Sequence, residues 1–325
     1  MRNAFPTVGL ITIVAVYFLI MVGGVVRASG AGMGCPDWPK CFGQWVPPTD
    51  VSQLPENYQE IYKDHGYGNA PFNAVKTWTE YINRLIGVSI GFLIFLTVVC
   101  ASGYWRDKRT IFWLSLAAFL LVGFEGWLGS VVVASNLNPW IITVHMLVAL
   151  IIVGLLITAR AAVSTHDPDQ PYHPLLGKVL LTCLVLSFFQ IALGTHVREA
   201  VDVIALDLGP DRRSEWIGEI GISALVHRSF SIVILFTNAA AIVLLRRNGP
   251  IPNSVAWAGY GVAACIVAEI GVGAIMFYAA IPAVLQPVHL VLASVMAGLQ
   301  WYLWIISRSV APEMVGTIER KAATI

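Results

Sequence analysis

The sequence predicts an all-α, polytopic membrane protein whose eight transmembrane helices form two parallel four-helix repeats. The first observation is composition: of 325 residues, 57% are hydrophobic and only 12% charged, against about 25% charged in soluble domains, and the mean hydropathy is +0.73. The second is that eight stretches each supply the roughly 20 apolar residues a bilayer demands. The third is that motifs of the first four stretches recur, in order, in the last four. This composition excludes a disordered chain and an ordinary soluble enzyme. A net charge of +1 offers no basic surface to a nucleic acid, so the lipid bilayer is the expected surrounding.

In chain order the spans are 8–26, 78–101, 111–133, 139–160, 175–196, 221–244, 254–278 and 284–307. The first is too long for a signal-peptide core and no small-residue cleavage site follows it, so it is read as a retained helix. Trp78, Pro139, Trp140, Pro174 and Trp257 flank spans as interfacial residues do. Lys and Arg set the sidedness. Arg106, Lys108 and Arg109 lie between spans two and three, Arg160 and Lys178 around the link from four to five, and Arg246 and Arg247 between six and seven. Arg308, Arg320 and Lys321 follow span eight, whereas the short links 134–138 and 279–281 carry no charge. The positive-inside rule therefore puts both termini in the cytoplasm. Two outer loops, 27–77 and 197–220, are long. Loops of this length are uncommon and often functional, and both are expected to be partly structured lids.

The repeat is explicit. Glu125-Gly-Trp-Leu-Gly129, Pro139 and His145 run from span three into span four, and Glu269-Ile-Gly-Val-Gly273, Pro282 and His289 run from span seven into span eight. Glu and His are twenty residues apart in both copies. Span five holds Gln190-Ile-Ala-Leu-Gly194, then His196 and Arg198; span one holds a degenerate version at Gly23-Gly24, then Arg27. Glu80-Tyr-Ile-Asn83-Arg84 in span two corresponds to Leu225-Val-His227-Arg228 in span six. Four spans separate the copies, so the chain returns to the same side and the halves, 1–165 and 166–325, are related by an axis along the membrane normal. The glycines allow close helix approach where no hydrophobic force drives association.

His65, His166 and His173 fall in loops and His196 at the outer end of span five, but His145, His227 and His289 lie inside spans. Counting at about 1.5 Å per residue puts all three roughly 9–10 Å below the outer helix ends, and Asn83 shares that depth. Polar groups inside a membrane are costly and functional by default. Interhelical hydrogen bonding suffices to explain one such histidine, but not three at one depth on alternate spans. Imidazole is a ligand for haem iron. Zinc fits less well, because it wants four ligands converging on one point and the repeat predicts two centres. Arg84 and Arg228, each next to the Asn or His position, and Arg27 and Arg198, at outer helix ends, suit the carboxylates of haem propionates. The competing role for each is snorkelling or a local pair with an acid.

Cys35-Pro-Asp-Trp-Pro-Lys-Cys41 lies in the first outer loop, where a disulfide is the default. Its closed loop is short, worth about 2–3 kcal/mol or less, so a redox-active pair and a structural staple both stay open. Cys100, Cys183 and Cys265 stand singly in spans as small apolar residues. Glu80, Glu125 and Glu269 are the acids within the spans. Glu80 shares a helix face with Asn83 and either pairs with Arg84 or is held protonated. Interhelical hydrogen bonding is the favoured role for Glu125 and Glu269.

Together these features resemble the haem A synthase family over nearly the whole chain. The resemblance rests on Gly23-Gly24-Val-Val-Arg27-Ala-Ser-Gly-Ala-Gly-Met-Gly-Cys35-Pro-Asp-Trp-Pro, the Glu80 to Arg84 segment, Gly-Trp-Leu-Gly129 with His145, and His227-Arg228 with His289. It implies oxidation of one ring methyl of haem O to the formyl group of haem A, for terminal oxidase biogenesis. It implies a haem b cofactor in the C-terminal half, held by His227 and His289 with Arg228 nearby. It implies a substrate haem in the N-terminal half, held by His145, and a catalytic role for Glu80; the residue chemistry adds Arg84 and Arg27 as partners of that haem's propionates and Asn83, on the Glu80 face, as a catalytic neighbour. Haem O synthase and terminal oxidase assembly factors are the implied partners, and a homo-oligomer is compatible with it. One departure stands out: where the family usually has a second histidine, this chain has Asn83. His145 is then the one strong ligand of the N-terminal haem, unless His65 folds inward from the loop. Two other classes share parts of the pattern, a dihaem b-type, quinol-linked electron carrier and a transporter built on the parallel repeat.

Overall fold

The computed structural model describes residues 1–68, 71–163, 172–247 and 251–308. His166, Arg320 and Lys321 lie outside them. Eight helices are long and apolar enough to cross a membrane: α1 Phe5–Ala28, α2 Ala74–Ala101, α3 Arg109–Ala134, α4 Pro139–Ala161, α5 Leu176–Leu208, α6 Ile222–Arg246, α7 Asn253–Tyr278 and α8 Leu285–Arg308. No strand forms among the described residues beyond an isolated bridge between Cys41 and Gln44. The helix starts follow local chemistry. Asn73 Oδ1 accepts the Lys76 N–H at 3.0 Å ahead of α2, and Asn138 Oδ1 accepts the Trp140 N–H at 3.0 Å ahead of α4. Pro6 and Pro139 sit in first turns, where a missing N–H costs nothing.

One boundary differs from its expectation. The hydropathic span ends near 196, yet α5 continues to Leu208 and is followed by short helical turns at Pro210–Glu215 and Trp216–Glu219. Charges end a hydropathy window but not a helix. Val197, Ala200, Val201, Ile204, Ala205 and Leu208 keep the helical period and close a small core with Trp216, Ile220 and Ile281. Half of the expected second loop is thus a projecting amphipathic helix, and short helical turns take most of the rest. The first loop is a lid with short helical turns at Val51–Gln53, Tyr58–Ile61 and Lys63–His65. Its own core is Phe42, whose ring meets Tyr58, Tyr62, Tyr67 and Phe72 edge-on at 5.1–6.4 Å.

The turns from α3 to α4 and from α7 to α8 have one geometry. Asn136 and Leu137 have φ of +53° and +63°, and Ala280 and Ile281 have +55° and +56°. Left-handed residues other than glycine are strained, Ile281 most of all, and each turn is clamped by the long segment before it. Asn136 donates to the Asp64 carbonyl at 2.9 Å. Arg213 donates to the carbonyls of Ala280, at 2.8 Å, and Ile281.

α8 lies at the centre, packed on α7, α5, α1 and α4, while α2 packs on α1 and α3, and α6 on α5 and α7. The α4–α8 contact depends on Gly154, where a Cβ would fall 2.6–2.7 Å from the Trp301 ring. Trp301 Nε1–H donates to Thr158 Oγ1 at 3.0 Å across the same seam. α6 and α8 also meet through fully buried side chains, Gln300 Nε2 donating to Asn238 Oδ1 at 2.8 Å. Such hydrogen bonds join helices that apolar packing alone would leave free to slide.

Candidate functional site

The Asn238–Gln300 bond sets the register for a second pair. Eleven residues back along each helix, three turns or about 16 Å, stand His227 and His289. Their rings are neighbours, with centroids 6.3 Å apart and planes edge-to-face at 70°. Room for them comes from glycine: a Cβ at Gly194 of α5 would lie 3.4 Å from His227 Cε1, and one at Gly273 of α7 would lie 3.7 Å from His289 Cε1. His227 Nδ1 is buried without a hydrogen-bond partner. Gln190 Nε2 donates to the His227 backbone carbonyl at 3.0 Å instead of reaching the ring. Arg228 is exposed, its guanidinium 5.1 Å above the Phe277 ring.

Behind His289, Glu269 Oε2 lies 2.9 Å from Nδ1. The N-terminal half has the same contact: Glu125 Oε2 of α3 lies 2.7 Å from His145 Nδ1 of α4. Both contacts fall short of aligned hydrogen bonds, and neither Nδ1 has another partner, nor does Oε1 of either carboxylate. Asn83 Oδ1 is likewise buried without a partner. His65 stays on the lid, its Nδ1 3.2 Å from Asn136 Oδ1. His196 packs edge-on against Trp140 at 4.9 Å and pairs with Glu199 at 3.5 Å.

Glu80 anchors the first loop to α2. Its Oε2 accepts the Cys35 N–H at 2.8 Å and its Oε1 pairs with Arg84. Arg84 also donates to the carbonyls of Asp37 at 2.8 Å, Lys40 at 3.0 Å and Cys35 at 3.4 Å. Cys35 and Cys41 form a disulfide whose two residues are wholly buried. Gly34 lies so close to the Lys76 backbone that no Cβ fits, and Thr77 Oγ1 donates to the Gly34 carbonyl at 2.8 Å. Tyr67 donates to the Met33 and Gly34 carbonyls at 2.8 and 3.1 Å. Burial, with the nearby charge of Glu80, pushes its hydroxyl well above the usual range, so it remains a donor near neutrality. At the same end of the bundle Arg27 meets Asp202 at 3.0 Å, and Arg198 pairs with that carboxylate too. Two guanidinium groups therefore share one carboxylate between α1 and the α5 extension.

The donor set can be tested for what it would hold. An imidazole–metal bond is about 2.0–2.1 Å and a ring nitrogen lies roughly 1.1 Å from the ring centre, so two rings placed in line through one metal would stand about 6.2–6.4 Å apart, and rings at a tetrahedral angle closer, at about 5 Å. The His227–His289 spacing of 6.3 Å matches. Two facing imidazoles suit haem iron, whose other four ligands come from the macrocycle. Among the described residues no three His, Cys, Asp or Glu side chains gather as a closed metal site.

The matched twenty-residue spacing of Glu125 to His145 and of Glu269 to His289 is the sequence signal for these two pairs, whereas nothing along the chain signals the Glu80–Cys35 contact or the role of Asp202.

Apolar spans that carry facing histidines, with carboxylates seated behind two of the histidines, define a multi-pass helical membrane protein with a paired-imidazole centre. The family model for cytochrome oxidase assembly protein (COX15-CtaA) matches residues 7–300, and the chain belongs to that family. It is similar to proteins named heme A synthase: 29% identical over 220 residues to that of Shewanella oneidensis, covering 66% of this chain and 62% of that protein. The Methylorubrum populi protein is 27% identical over 308 residues, covering 83% of this chain and 77% of its own. The Sphingopyxis alaskensis protein is 30% identical over 196 residues, covering 56% and 55%. The matched stretch spans less than two thirds of the Shewanella and Sphingopyxis proteins' own lengths.

Proposed function

We propose that this chain is a haem A synthase, oxidising a ring methyl of haem O to the formyl group of haem A. The facing pair His227–His289, 6.3 Å apart, is the observation that carries the reading; the names of the relatives support it. On this reading the protein lies in the cell membrane with both termini cytoplasmic and the haem sites toward the outer face. The C-terminal half, 166–325, holds haem b through His227 and His289. The N-terminal half, 1–165, takes haem O as substrate through His145. Bound haem supplies the strong oxidising chemistry that an unactivated methyl group requires.

The chain's own groups do the rest. Arg228, exposed beside His227, is open to a propionate, and Arg27 and Arg198, which share the single carboxylate of Asp202, keep a net positive charge for another. Arg84 is engaged by Glu80 and by lid carbonyls, so a propionate there displaces one of those partners. Glu80 holds or moves a proton at its carboxylate oxygens, one turn from Asn83. The lid, built on its own small core and tied to Glu80, excludes water and seats the substrate edge. Haem O synthase and terminal oxidase assembly factors are the partners this reading implies.

Pigment analysis of the purified protein tests it. Haem A or hydroxylated haem O is expected; haem b alone would identify a dihaem electron carrier, and no haem a transporter. The N-terminal site makes its own prediction. With Asn83 in place of a second imidazole and His65 held at Asn136, His145 is the sole strong ligand. Asn83→His should convert that haem to a six-coordinate low-spin form and slow turnover, whereas His65→Ala should leave its spectrum unchanged. A wild-type N-terminal haem that is already bis-histidine would overturn this assignment.

A further inference from the structure

Of the three imidazoles that share one depth within the spans, His145 and His289 have a carboxylate from the preceding helix behind them, one in each half, and His227 does not. Glu125 Oε2 stands 2.7 Å from His145 Nδ1, and Glu269 Oε2 stands 2.9 Å from His289 Nδ1. Both acids come from the neighbouring helix and both are largely buried. A charged carboxylate is expensive at membrane depth unless it is paired, and among the described residues the imidazole is the partner each one has. His227 differs, because Gln190 occupies the corresponding place and turns to the backbone carbonyl.

A histidine ligand that gives its second ring N–H to a carboxylate is fixed in one tautomer and made a stronger donor. With Nδ1 on the side of the acid and 2.7–2.9 Å from it, Nε2 is the nitrogen left to face a metal. We propose that Glu125 and Glu269 are positioning residues: they hold His145 and His289 with Nε2 presented to haem iron and raise the donor strength of that nitrogen, whereas His227 is the unassisted ligand. This rests on the reading that these histidines hold haem.

The test uses the full-length, haem-loaded protein. Glu269→Gln keeps an acceptor for the Nδ1 proton but removes the charge. It should retain the low-spin haem and raise its midpoint potential, because a weaker donor stabilises ferric iron less. Glu125→Gln should lower the iron–histidine stretching frequency of the ferrous N-terminal haem. Glu269→Leu and Glu125→Leu, which remove the acceptor, should weaken haem retention by about 10- to 100-fold, each in its own half. Glu269→Asp and Glu125→Asp, if either Leu variant fails to fold, should give intermediate shifts. Unchanged potential, stretching frequency and retention in the Gln and Leu variants would overturn the proposal. His289→Ala and His145→Ala, measured alongside, separate this from failure of the underlying reading: if they keep their haem signals, the histidines are not ligands at all.

Discussion

Replacing His227 or His289 with alanine should abolish the low-spin haem signal of the C-terminal half while the eight-helix fold persists. Each ring would supply one bond to the same iron, so losing either removes the paired-imidazole state outright. The loss should exceed the roughly 10- to 100-fold effect of removing a group behind a ligand. The fold should survive because neither ring carries the central packing. That packing rests on α8 against α1, α4, α5 and α7, with Gly154 and Trp301 at its seam. The Asn238–Gln300 bond keeps α6 and α8 in register without the histidines. Absorption and electron paramagnetic resonance spectra report the haem, and circular dichroism with thermal unfolding reports the fold. A low-spin signal that persists in both variants would refute the assignment.

The second large effect is expected at Glu80. Its side chain and that of Arg84 are only 6% and 13% exposed, so removing one partner strands the other in a poorly solvated place. Breaking such a pair typically costs about 3–5 kcal/mol. Glu80→Ala also deprives the Cys35 N–H of its acceptor and frees the guanidinium that gathers the Asp37 and Lys40 carbonyls. Residues 29–73 should therefore become sensitive to protease, and the thermal midpoint should fall. Glu80→Ala/Arg84→Met removes both charges and should recover part of that stability. Glu80→Gln separates anchoring from proton chemistry. The carboxamide oxygen can still accept from Cys35, but the group can no longer exchange a proton. Turnover should drop by about 10²- to 10⁴-fold with the lid still in place. Wild-type turnover in Glu80→Gln would confine Glu80 to a structural role.

The lid anchor also explains why Arg84 and Arg228, matched in the sequence, differ in the fold. Arg84 is drawn to a buried acid four residues before it and to a loop folded over it, whereas Arg228 has Ala224 at the matching position and, among the described residues, no ion pair. The second long segment is spent on the α5 extension, the Trp216 core and the clamp on Ile281.

What was legible from the chain alone is what depends on short stretches of it. A bilayer imposes one length of apolar helix whatever the neighbours are. The eight spans, the depth of His145, His227 and His289, and the Glu-to-His spacing of both copies could thus be read by counting along the chain. Contacts could not. Whether Glu125 meets His145 or some other polar group depends on how α3 and α4 rotate against each other, and hydropathy does not record rotation. The end of α5 escaped for a related reason: Val201 and Ile204 remain helical because Trp216 and Ile281, distant in the chain, cover them. Glu80 was visible as a costly buried acid, but its grip on Cys35 arises only when a lid more than forty residues long folds back onto α2. Local apolarity sets which segments cross the membrane, and packing between segments sets which polar groups are left facing one another.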